Sequence, residues 1–255
     1  MNDQLLRKAA GLIGKSKKTV ALTGAGISTP SGIPDFRTPG LGLWEKIDPI
    51  EVATIDSFLS NPEKFFMFMG PLNKLAAVAP VNPAHQALAD WEEMGLLSSI
   101  ITQNIDNLHR RAGSKSVIEL HGNAGRAHCM KCRRFYPSDE VVERLEKSDV
   151  GVPRCDCGAV IKPDVVLFGE QLPFTELVRA ERESESCEVM IVAGSSLTVS
   201  PASFMPRVAM QNNAKVIVVN LQETYVDAYA AVVIKEKVEE ALPKITEYLK
   251  ENSSE

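Results

Sequence analysis

The stretch TVALTGAGIS, residues 19–28, decides the fold class expected for this chain. Its first four residues form a short apolar run typical of a buried strand, and a turn containing Gly24 and Gly26 follows at once. Helical stretches separate this run from later ones of the same kind. These later runs, each followed by a polar turn or a helix, are residues 99–102, 188–193, 214–219 and 231–234. The alternation predicts an α/β fold with a doubly wound parallel sheet.

Two stretches interrupt this alternation. Residues 39–83 contain several prolines separated by partly apolar stretches, which predicts a helical insertion. Residues 122–163 contain four of the five cysteines. In doubly wound sheets, ligands bind at the carboxyl ends of the strands. The polar turns that follow the apolar runs are therefore the first place to look for a site.

Composition excludes several classes of protein. The 255 residues are 44% hydrophobic and 24% charged, with a net charge of −5, so no general basic field attracts nucleic acid. The longest apolar runs are far shorter than the roughly 18 residues that a membrane span needs. The first seven residues include acid, base and amide side chains, and no signal-peptide core follows. We expect a cytoplasmic protein that binds neither membrane nor nucleic acid.

The cysteines predict a metal site. Cys129 and Cys132 form a C-x2-C pair, and Cys155 and Cys157 form a C-x-C pair some twenty residues later. In a reducing compartment, two thiol pairs at such spacing indicate a tetrahedral zinc site, and four thiolates leave the metal a structural role. Two redox pairs or unrelated thiols are the alternatives, and His128 is an alternative ligand.

The polar turns supply the candidate catalytic groups. Gly24 and Gly26 suit a turn that a phosphate approaches, with a helix N-terminus expected to follow, although Thr29 stands where a dinucleotide-binding fingerprint has its third glycine. A GIPDFR stretch comes next and suggests a mobile lid. Amide and carboxylate groups follow the run at 99–102, and His121 follows another short apolar run. Neutral imidazole is the usual general base near pH 7, so His121 is the candidate base.

Taken together, these motifs resemble the sirtuins, the NAD-dependent protein lysine deacylases. The matching motifs lie in family order: GAGIS (24–28), GIPDFR (32–37), TQNID (102–106), ELHG (119–122), the four cysteines, FGE (168–170), GSS (194–196) and Asn220. The resemblance implies one catalytic domain over 1–255 with two parts. The large part would be Rossmann-like, comprising residues 1–38, 84–121 and 164–255. The small part would join the helical insertion at 39–83 to the zinc module at 122–163, with the active cleft between the parts.

The resemblance also implies roles for individual residues. His121 would be the general base, with Asn104 as the second catalytic residue. NAD would be bound by Gly24, Ala25, Gly26, Ser28, Thr29, Asp35, Phe36, Arg37, Gln103, Asn104, Ile105, Asp106, Gly194, Ser195, Ser196, Asn220 and Val238. Acyl-lysine peptide would be bound by Val166, Phe168, Gly169, Glu170 and Val199, as a strand added between the two parts. The acyl group would pass to ADP-ribose with release of nicotinamide, and zinc would be structural.

The resemblance further predicts the acyl group. Family members that prefer succinyl-lysine or malonyl-lysine contain a Tyr-x-x-Arg pair in the helix after the lid, and Met69 and Leu72 stand at those positions. Neither side chain binds a carboxylate, so neutral acyl groups are expected. Acetylated chromatin proteins or metabolic enzymes would be the partners.

Two other function classes compete with the deacylase. An ADP-ribosyltransferase or NAD hydrolase would use the same pocket without an acyl acceptor. The resemblance implies that Ile105, Val166 and Phe168 line an apolar tunnel for the lysine chain, and this tunnel and the FGE motif favour the deacylase. A zinc-ribbon binding module would explain the basic residues around Cys132, yet it leaves His121 and the polar strand ends without a role.

Overall fold

The computed structural model describes residues 2–35, 42 and 47–252. Two sheets organise the described part of the chain. Their strands are β1 (Thr19–Thr23), β2 (Ser99–Thr102), β3 (Val117–Glu119), β4 (Gly122–Cys129), β5 (Phe135–Pro137), β6 (Ile161–Val165), β7 (Val189–Ala193), β8 (Lys215–Val219) and β9 (Val232–Ile234).

The helices within the described residues surround these sheets. They are α1 (Asp3–Lys15), α2 (Pro49–Val52), α3 (Ile55–Ser60), α4 (Pro62–Val78), α5 (Pro83–Glu93), α6 (Leu108–Arg111), α7 (Ser138–Glu146), α8 (Phe174–Ser186), α9 (Met205–Gln211) and α10 (Val238–Asn252). No helix in this part of the chain is both long enough and apolar enough to cross a bilayer.

The larger sheet is parallel throughout and has the order β3-β2-β1-β7-β8-β9. This is the Rossmann arrangement, in which the direction of winding changes beside the first strand. Thr23 at the end of β1 pairs with Thr102 on one side and with Ala193 on the other. The chain segments that leave β1, β2 and β7 therefore meet at one edge. The predicted doubly wound α/β fold is confirmed.

Both faces of this sheet are covered by apolar helices. One face packs against α1, α5 and α10, and α1 contributes Leu6, Ala9, Ala10 and Ile13 at helical spacing. The other face packs against α8 and α9. Since both faces are covered, β1 and β7 are buried along their whole length, and buried residues do not alternate with exposed ones.

The smaller part of the molecule combines an antiparallel sheet and a group of helices. The sheet has the order β5-β4-β6 and follows β3 directly, because β4 begins at Gly122. Helices α2, α3 and α4 confirm the helical character predicted for the insertion. Apolar residues of α3 and α4 pack with Val165 of β6, and the aromatic rings of Phe58, Phe65 and Phe66 meet edge to face.

One local prediction was wrong. A helix was expected to start after the glycine turn, but two 3₁₀ turns lie there, Ala25–Ile27 and Thr29–Ser31. Pro30 has no N–H to continue a helix, and Gly32 ends the second turn with a φ of 86°. The backbone N–H groups at this turn therefore do not form the N-terminus of a long helix.

Candidate functional site

A cavity of about 850 Å³ lies between the carboxyl edge of the parallel sheet and the smaller part of the molecule. Every sequence-predicted catalytic, cofactor and peptide residue within the described part of the chain lines it, from Gly24 to Val238. Phe36 and Arg37 lie outside the described residues. The polar turns that are far apart in the sequence thus meet at a single site.

Two glycines allow the loops after β1 and β7 to touch. The N–H of Gly26 donates to the carbonyl oxygen of Gly194 at 2.8 Å. A Cβ built on Gly26 would lie 2.8 Å from that oxygen, and one built on Gly194 would lie 2.3 Å from the nitrogen of Ile27. Gly194 also has a φ of 60°. Both positions therefore require glycine, because a side chain at either one would prevent the two loops from touching.

Three polar side chains that line the cavity form one hydrogen-bonded group. Ser28 Oγ donates to Asp106 Oδ2 at 2.6 Å, and Asn104 Nδ2 donates to Ser28 Oγ at 3.1 Å. Asn104 Nδ2 also donates to the carbonyl of Gly24 at 3.0 Å. Burial raises the pKa of Asp106, while the Ser28 hydroxyl and the N–H of Leu108 oppose that shift. The group ties the loop after β1 to the loop after β2.

His121 is oriented by the backbone of the same loop. Its Nδ1 lies 2.9 Å from the carbonyl oxygen of Gln103, which only accepts hydrogen bonds, so Nδ1 holds the proton. In the neutral ring Nε2 then has the lone pair. The side chain of Gln103 donates in turn to Ser195 Oγ at 2.9 Å. The arrangement suits a base whose accepting atom is Nε2.

Helix α4 supplies an apolar wall on the opposite side of the cavity. Phe65, Met69 and Leu72 line it from this helix, and they pack in one cluster with Ile105 and Leu167. Phe65 and Met69 are nearly fully buried. The sequence indicated Met69 and Leu72 but missed Phe65, although Phe65 precedes Met69 by one helical turn. A side chain that enters this part of the cavity would contact apolar side chains on several sides.

The segment that is predicted to bind the peptide forms a tight turn and not an extended strand. The N–H of Glu170 donates to the carbonyl of Leu167 at 3.0 Å, and Gly169 has a φ of 88°. Phe168 bonds through both its N–H and its carbonyl to the backbone at residues 53 and 55. Lys162 holds Glu170 with an ion pair of 2.9 Å. The turn is therefore anchored to both the helical insertion and β6.

The four predicted metal ligands form one cluster. Their sulfur atoms all lie within 4.8 Å of one another, with Cys129 and Cys157 at 3.4 Å and Cys132 and Cys155 at 3.5 Å. Zinc–sulfur bonds of about 2.3 Å in a tetrahedron place sulfurs about 3.8 Å apart, so the cluster fits zinc. The C-x-C pair converges because a turn closed by Gly158, with a φ of 84°, follows it.

The surroundings of the cluster favour the thiolate of Cys155, whereas the pKa of Cys132 is raised to about 11, because the backbone hydrogen bond at Arg134 that lowers it is outweighed by hydrogen bonds to the other thiols. The backbone N–H of Cys157 and the Tyr136 hydroxyl lower the pKa of the Cys155 thiol to about 6. Zinc binds the thiolate form of cysteine. With four sulfur ligands the shell is closed, so the cluster is consistent with structural zinc and supplies no open catalytic position.

Comparison with known proteins identifies the family. The model of the Sir2 family matches residues 24–201, more than half of the chain. The chain belongs to the Sir2 family. It is 46% identical over 243 residues to an NAD-dependent protein deacetylase of Sulfolobus acidocaldarius, with 95% of this chain and 94% of that protein covered. It is 46% identical over 257 residues to NAD-dependent protein deacylase 2 of Archaeoglobus fulgidus, with 100% of each covered.

Solved structures agree with this membership. A Sir2 enzyme in complex with a deacetylated p53 peptide and 3′-O-acetyl-ADP-ribose superposes with a TM-score of 0.91 at 44% identity, covering 95% of this chain and 97% of that one. A Sir2 enzyme bound to a propionylated peptide superposes with a TM-score of 0.87 at 42% identity, with the same shares covered. Membership makes this sirtuin an NAD-dependent protein deacetylase.

One feature of this sirtuin was not predicted from its sequence. His85 on α5 and His109 on α6 are buried behind the cavity, with ring centroids 4.9 Å apart. His85 Nε2 lies 3.5 Å from Ser28 Oγ, and His109 Nε2 lies 2.9 Å from Thr23 Oγ1. Burial lowers the pKa of His85 to about 4 and that of His109 to about 3. Both rings are thus neutral and support the cavity wall from behind.

No sequence signal was available for this pair. Asn82 before Pro83 indicates the start of a helix, and Asn82 does cap α5 by accepting from Ala84 N. The sequence does not show which face of that helix meets the cavity. Lys237 also lines the cavity and was missed, although it directly precedes the predicted last helix.

Proposed function

We propose that this sirtuin removes neutral acyl groups, acetyl above all, from lysine side chains of other proteins. The reaction would consume NAD and one water molecule, and the products would be free lysine, nicotinamide and O-acetyl-ADP-ribose. The observation that supports this preference is the apolar wall formed by Phe65, Met69 and Leu72. None of these side chains stabilises the carboxylate of a succinyl or malonyl group.

The cofactor would lie along the carboxyl edge of the sheet. We assign the phosphates of NAD to the turn at 24–29, with Asp35, Phe36 and Arg37 beyond it. The nicotinamide and its ribose would contact the residues from Gln103 to Asp106, which follow β2. The side chains of Gln103 and Asn104 are held there by hydrogen bonds to Ser195 and Ser28. The adenosine half would contact the residues from Gly194 to Ser196, together with Asn220 and Val238, which line the other end of the cavity.

His121 would act as the general base. NAD, when bound, would supply a ribose carbon that accepts the acyl oxygen in place of nicotinamide. The backbone of Gln103 holds the proton on His121 Nδ1, so Nε2 accepts the proton of a ribose hydroxyl. Asn104, which is held by Gly24 and Ser28, would orient the reacting groups. The chain supplies a base, positioned donors and an apolar channel for the lysine.

The acyl-lysine peptide would enter between the turn that contains Phe168 to Glu170 and the segment after β7 that contains Val199. Val166 and Val199 line the cavity on these two sides. Related Sir2 enzymes bind a p53 peptide and a propionylated peptide, which supports a protein substrate with a neutral acyl group. Chromatin proteins and metabolic enzymes with acetyl-lysine would be substrates of this kind.

The test compares kcat/KM on one peptide that has acetyl, butyryl or succinyl at the same lysine. A buried carboxylate without a partner costs roughly several kcal/mol, so the succinyl peptide should react at least about 10²-fold more slowly. Free nicotinamide and deacylated peptide are both measured, because NAD hydrolysis would release only the former. Equal or faster turnover of the succinyl peptide would contradict the proposal.

A double variant tests the wall itself. Met69→Tyr with Leu72→Arg should shift the preference towards succinyl, because it places a cation and a hydroxyl in the acyl channel. Met67→Tyr with Leu75→Arg is the matched control, since both residues lie on α4 outside the cavity and are exposed by 71% and 37%. The control should keep the acetyl preference of the parent.

A further inference from the structure

His109 is a buried polar residue to which the proposed reaction gives no role. It is 2% exposed and does not line the catalytic cavity. Burial, together with the neighbouring ring of His85, lowers the pKa of His109 to about 3, so its ring is neutral. Its Nδ1 has no hydrogen-bond partner within the described part of the chain. Because an apolar side chain would avoid the cost of burying this nitrogen, the contact made by the other ring nitrogen requires an explanation.

That contact begins a chain of hydroxyl groups. His109 Nε2 lies 2.9 Å from Thr23 Oγ1, and Thr23 Oγ1 lies 2.9 Å from Thr102 Oγ1. The two threonines are paired at the ends of β1 and β2, and both are buried. A proton on His109 Nδ1 would be a buried donor without an acceptor, so the ring proton belongs on Nε2. His109 then donates to Thr23, and the Thr23 hydroxyl donates its own hydrogen to Thr102.

The chain of hydroxyls ends on the peptide group between Gln103 and Asn104, here called the 103–104 peptide. The N–H of Asn104 donates to Thr102 Oγ1 at 3.1 Å. The carbonyl of Gln103 in the same peptide lies 2.9 Å from His121 Nδ1. A peptide group is planar, and in its trans form the C=O and the N–H point in opposite directions. A hydrogen bond that fixes the N–H of the 103–104 peptide therefore also fixes the direction of its carbonyl.

The sheet does not hold the 103–104 peptide directly. The backbone bonds between β1 and β2 end where the N–H of Gln103 donates to the carbonyl of Thr23 at 3.0 Å. On the β3 side, the N–H of Leu120 donates to the carbonyl of Thr102 at 3.0 Å. Beyond these bonds the chain at 103–107 is a loop. The Thr102 hydroxyl bonds the N–H two residues further on, which is the bond of an ST-turn, and so extends the restraint into the loop.

We propose that His109 is a positioning residue for the base. Through the hydroxyls of Thr23 and Thr102, it holds the 103–104 peptide in one orientation. The carbonyl of that peptide then keeps the proton of the neutral His121 ring on Nδ1, which leaves Nε2 able to accept a proton. The proposal rests on the assignment of His121 as the general base in the proposed function.

NMR of the protein labelled with ¹⁵N-histidine shows which nitrogen of each ring holds the proton. The chain has four histidines, and spectra are recorded without NAD or peptide at roughly pH 8, where a histidine with an ordinary pKa is neutral. The signals that disappear in His121→Ala and in His109→Leu assign the two rings. We expect the proton on Nδ1 of His121 and on Nε2 of His109. A proton on Nδ1 of His109 in the parent would overturn the proposal, and this measurement needs no folded variant.

Thr102→Val removes the acceptor of the Asn104 N–H and keeps the branched shape of the side chain. In this variant His121 should become a mixture of its two neutral forms. Its kcat should fall about three- to tenfold, the size of one lost hydrogen bond, with the Kd of NAD unchanged. Thr19→Val is the matched control, because Thr19 is a buried residue of β1 whose hydroxyl has no partner among the described residues. It should behave like the parent.

Two substitutions at His109 separate positioning from packing. His109→Leu cannot donate to Thr23, so it should change His121 in the same direction as Thr102→Val and lower kcat about two- to fivefold. His109→Gln has an amide nitrogen the same number of bonds from Cβ as the ring Nε2, so it should restore kcat and the neutral form of His121. Thermal unfolding is measured for each variant. A leucine variant that loses stability but keeps the His121 form and kcat of the parent would overturn the proposal.

The spectra do not depend on turnover, so they separate this proposal from the proposed function. If the parent deacetylates no peptide, or if His121→Ala turns over like the parent, the proposed function or its base assignment fails. A change of the His121 form in Thr102→Val and His109→Leu would still support the positioning role. If His121→Ala abolishes deacetylation but the His121 form is the same in the parent, Thr102→Val and His109→Leu, only the positioning proposal fails.

Discussion

The parallel sheet and the cysteine-containing module of this sirtuin are stabilised in different ways. The sheet lies between two large apolar clusters, with β1 and β7 buried along their whole length. The module has a small cluster of buried residues, which includes Cys129, Cys155 and Tyr136. Its strands also have exposed positions, among them Phe135. Burial supports the sheet, whereas we expect the module, with its smaller apolar cluster, to depend on metal binding by its cysteines.

The contrast shows how the two parts share one active site. His121 stands between β3 of the sheet and β4 of the module, and its carbonyl accepts from the N–H of Val166 after β6. A local failure of the module would therefore disturb the base and the peptide segment while the sheet stays folded. Variants can separate the contributions of the two parts to stability and to catalysis.

The largest effect is expected from loss of the metal. One zinc per chain should copurify, and Cys129→Ser or chelation should unfold the module and abolish deacetylation, because structural zinc contributes roughly 10–16 kcal/mol in small domains. Zinc content, thermal unfolding and turnover are measured together. Cys187→Ala is the control, since Cys187 is buried in the sheet part and should leave the zinc in place. Unchanged stability and activity after chelation would rule out the structural role.

Removal of the base should affect rate and leave stability nearly intact. His121→Ala should lower deacetylation by about 10²–10⁴-fold, the usual contribution of a general base, while NAD and peptide still bind. His128→Gln is the control, because His128 lies on the module and contacts Asp164 at 2.7 Å, away from the cavity. Turnover of His121→Ala close to that of the parent would refute the assignment.

Mild acid should weaken the sheet part through its buried histidines. Burial lowers the pKa of His85 to about 4 and of His109 to about 3, whereas an unfolded histidine has a pKa of about 6.5. The unfolded chain therefore binds more protons below pH 6.5, and stability falls as pH falls. Between pH 7 and pH 5 the loss should be about 2 kcal/mol per histidine, or roughly 4 kcal/mol in all.

Urea unfolding at pH 5, 6 and 7 measures this loss. His85→Gln cannot take up a proton, so it should show about half of the pH dependence of the parent. The raised pKa of Asp106 acts in the opposite direction, because a carboxyl that protonates more readily when folded gains stability as pH falls. An identical pH dependence in the parent and in His85→Gln would show that His85 is not buried in the neutral form.

The smallest effect is expected from removal of the hydrogen bond between Tyr136 and Cys155, one of the predicted zinc ligands. Tyr136 Oη donates to Cys155 Sγ at 3.1 Å from within the small cluster. Tyr136→Phe keeps the ring but removes this donor, so zinc affinity should fall by about tenfold with little change in the fold. Competition with a chromogenic chelator measures it. Wild-type affinity would show that the hydroxyl has no part in holding the thiolate.

Much of the fold could be predicted because strands and ligand motifs are local patterns. The apolar run at 99–102 became β2 (Ser99–Thr102) with the same bounds, and the runs near β1 and β7 differ from the observed strands by a residue at one end. The expected convergence of polar turns follows from the rule that parallel strands end at one edge of a sheet. The spacing of the four cysteines was likewise enough to predict their cluster.

What the sequence did not show depended on contacts between distant segments. The glycines of the first turn were assigned to phosphate approach, which stays a prediction, and the structure adds a contact between Gly26 and Gly194. The sequence pattern of the turn does not reveal this contact. The buried pair of His85 and His109 was missed because each stands on a helix without any local sign of its neighbour.

The sequence by itself predicted the alternation of strands and helices, the cluster of four cysteines and a candidate base, since each depends on residue types at short spacing. Only the tertiary structure decided which nitrogen of His121 holds the proton in the neutral ring, because the carbonyl of Gln103 sets it. It also decided that α4 presents Phe65 and Met69 to the cavity. Periodicity specifies an element, whereas the orientation of a side chain depends on partners that the chain brings together from far apart.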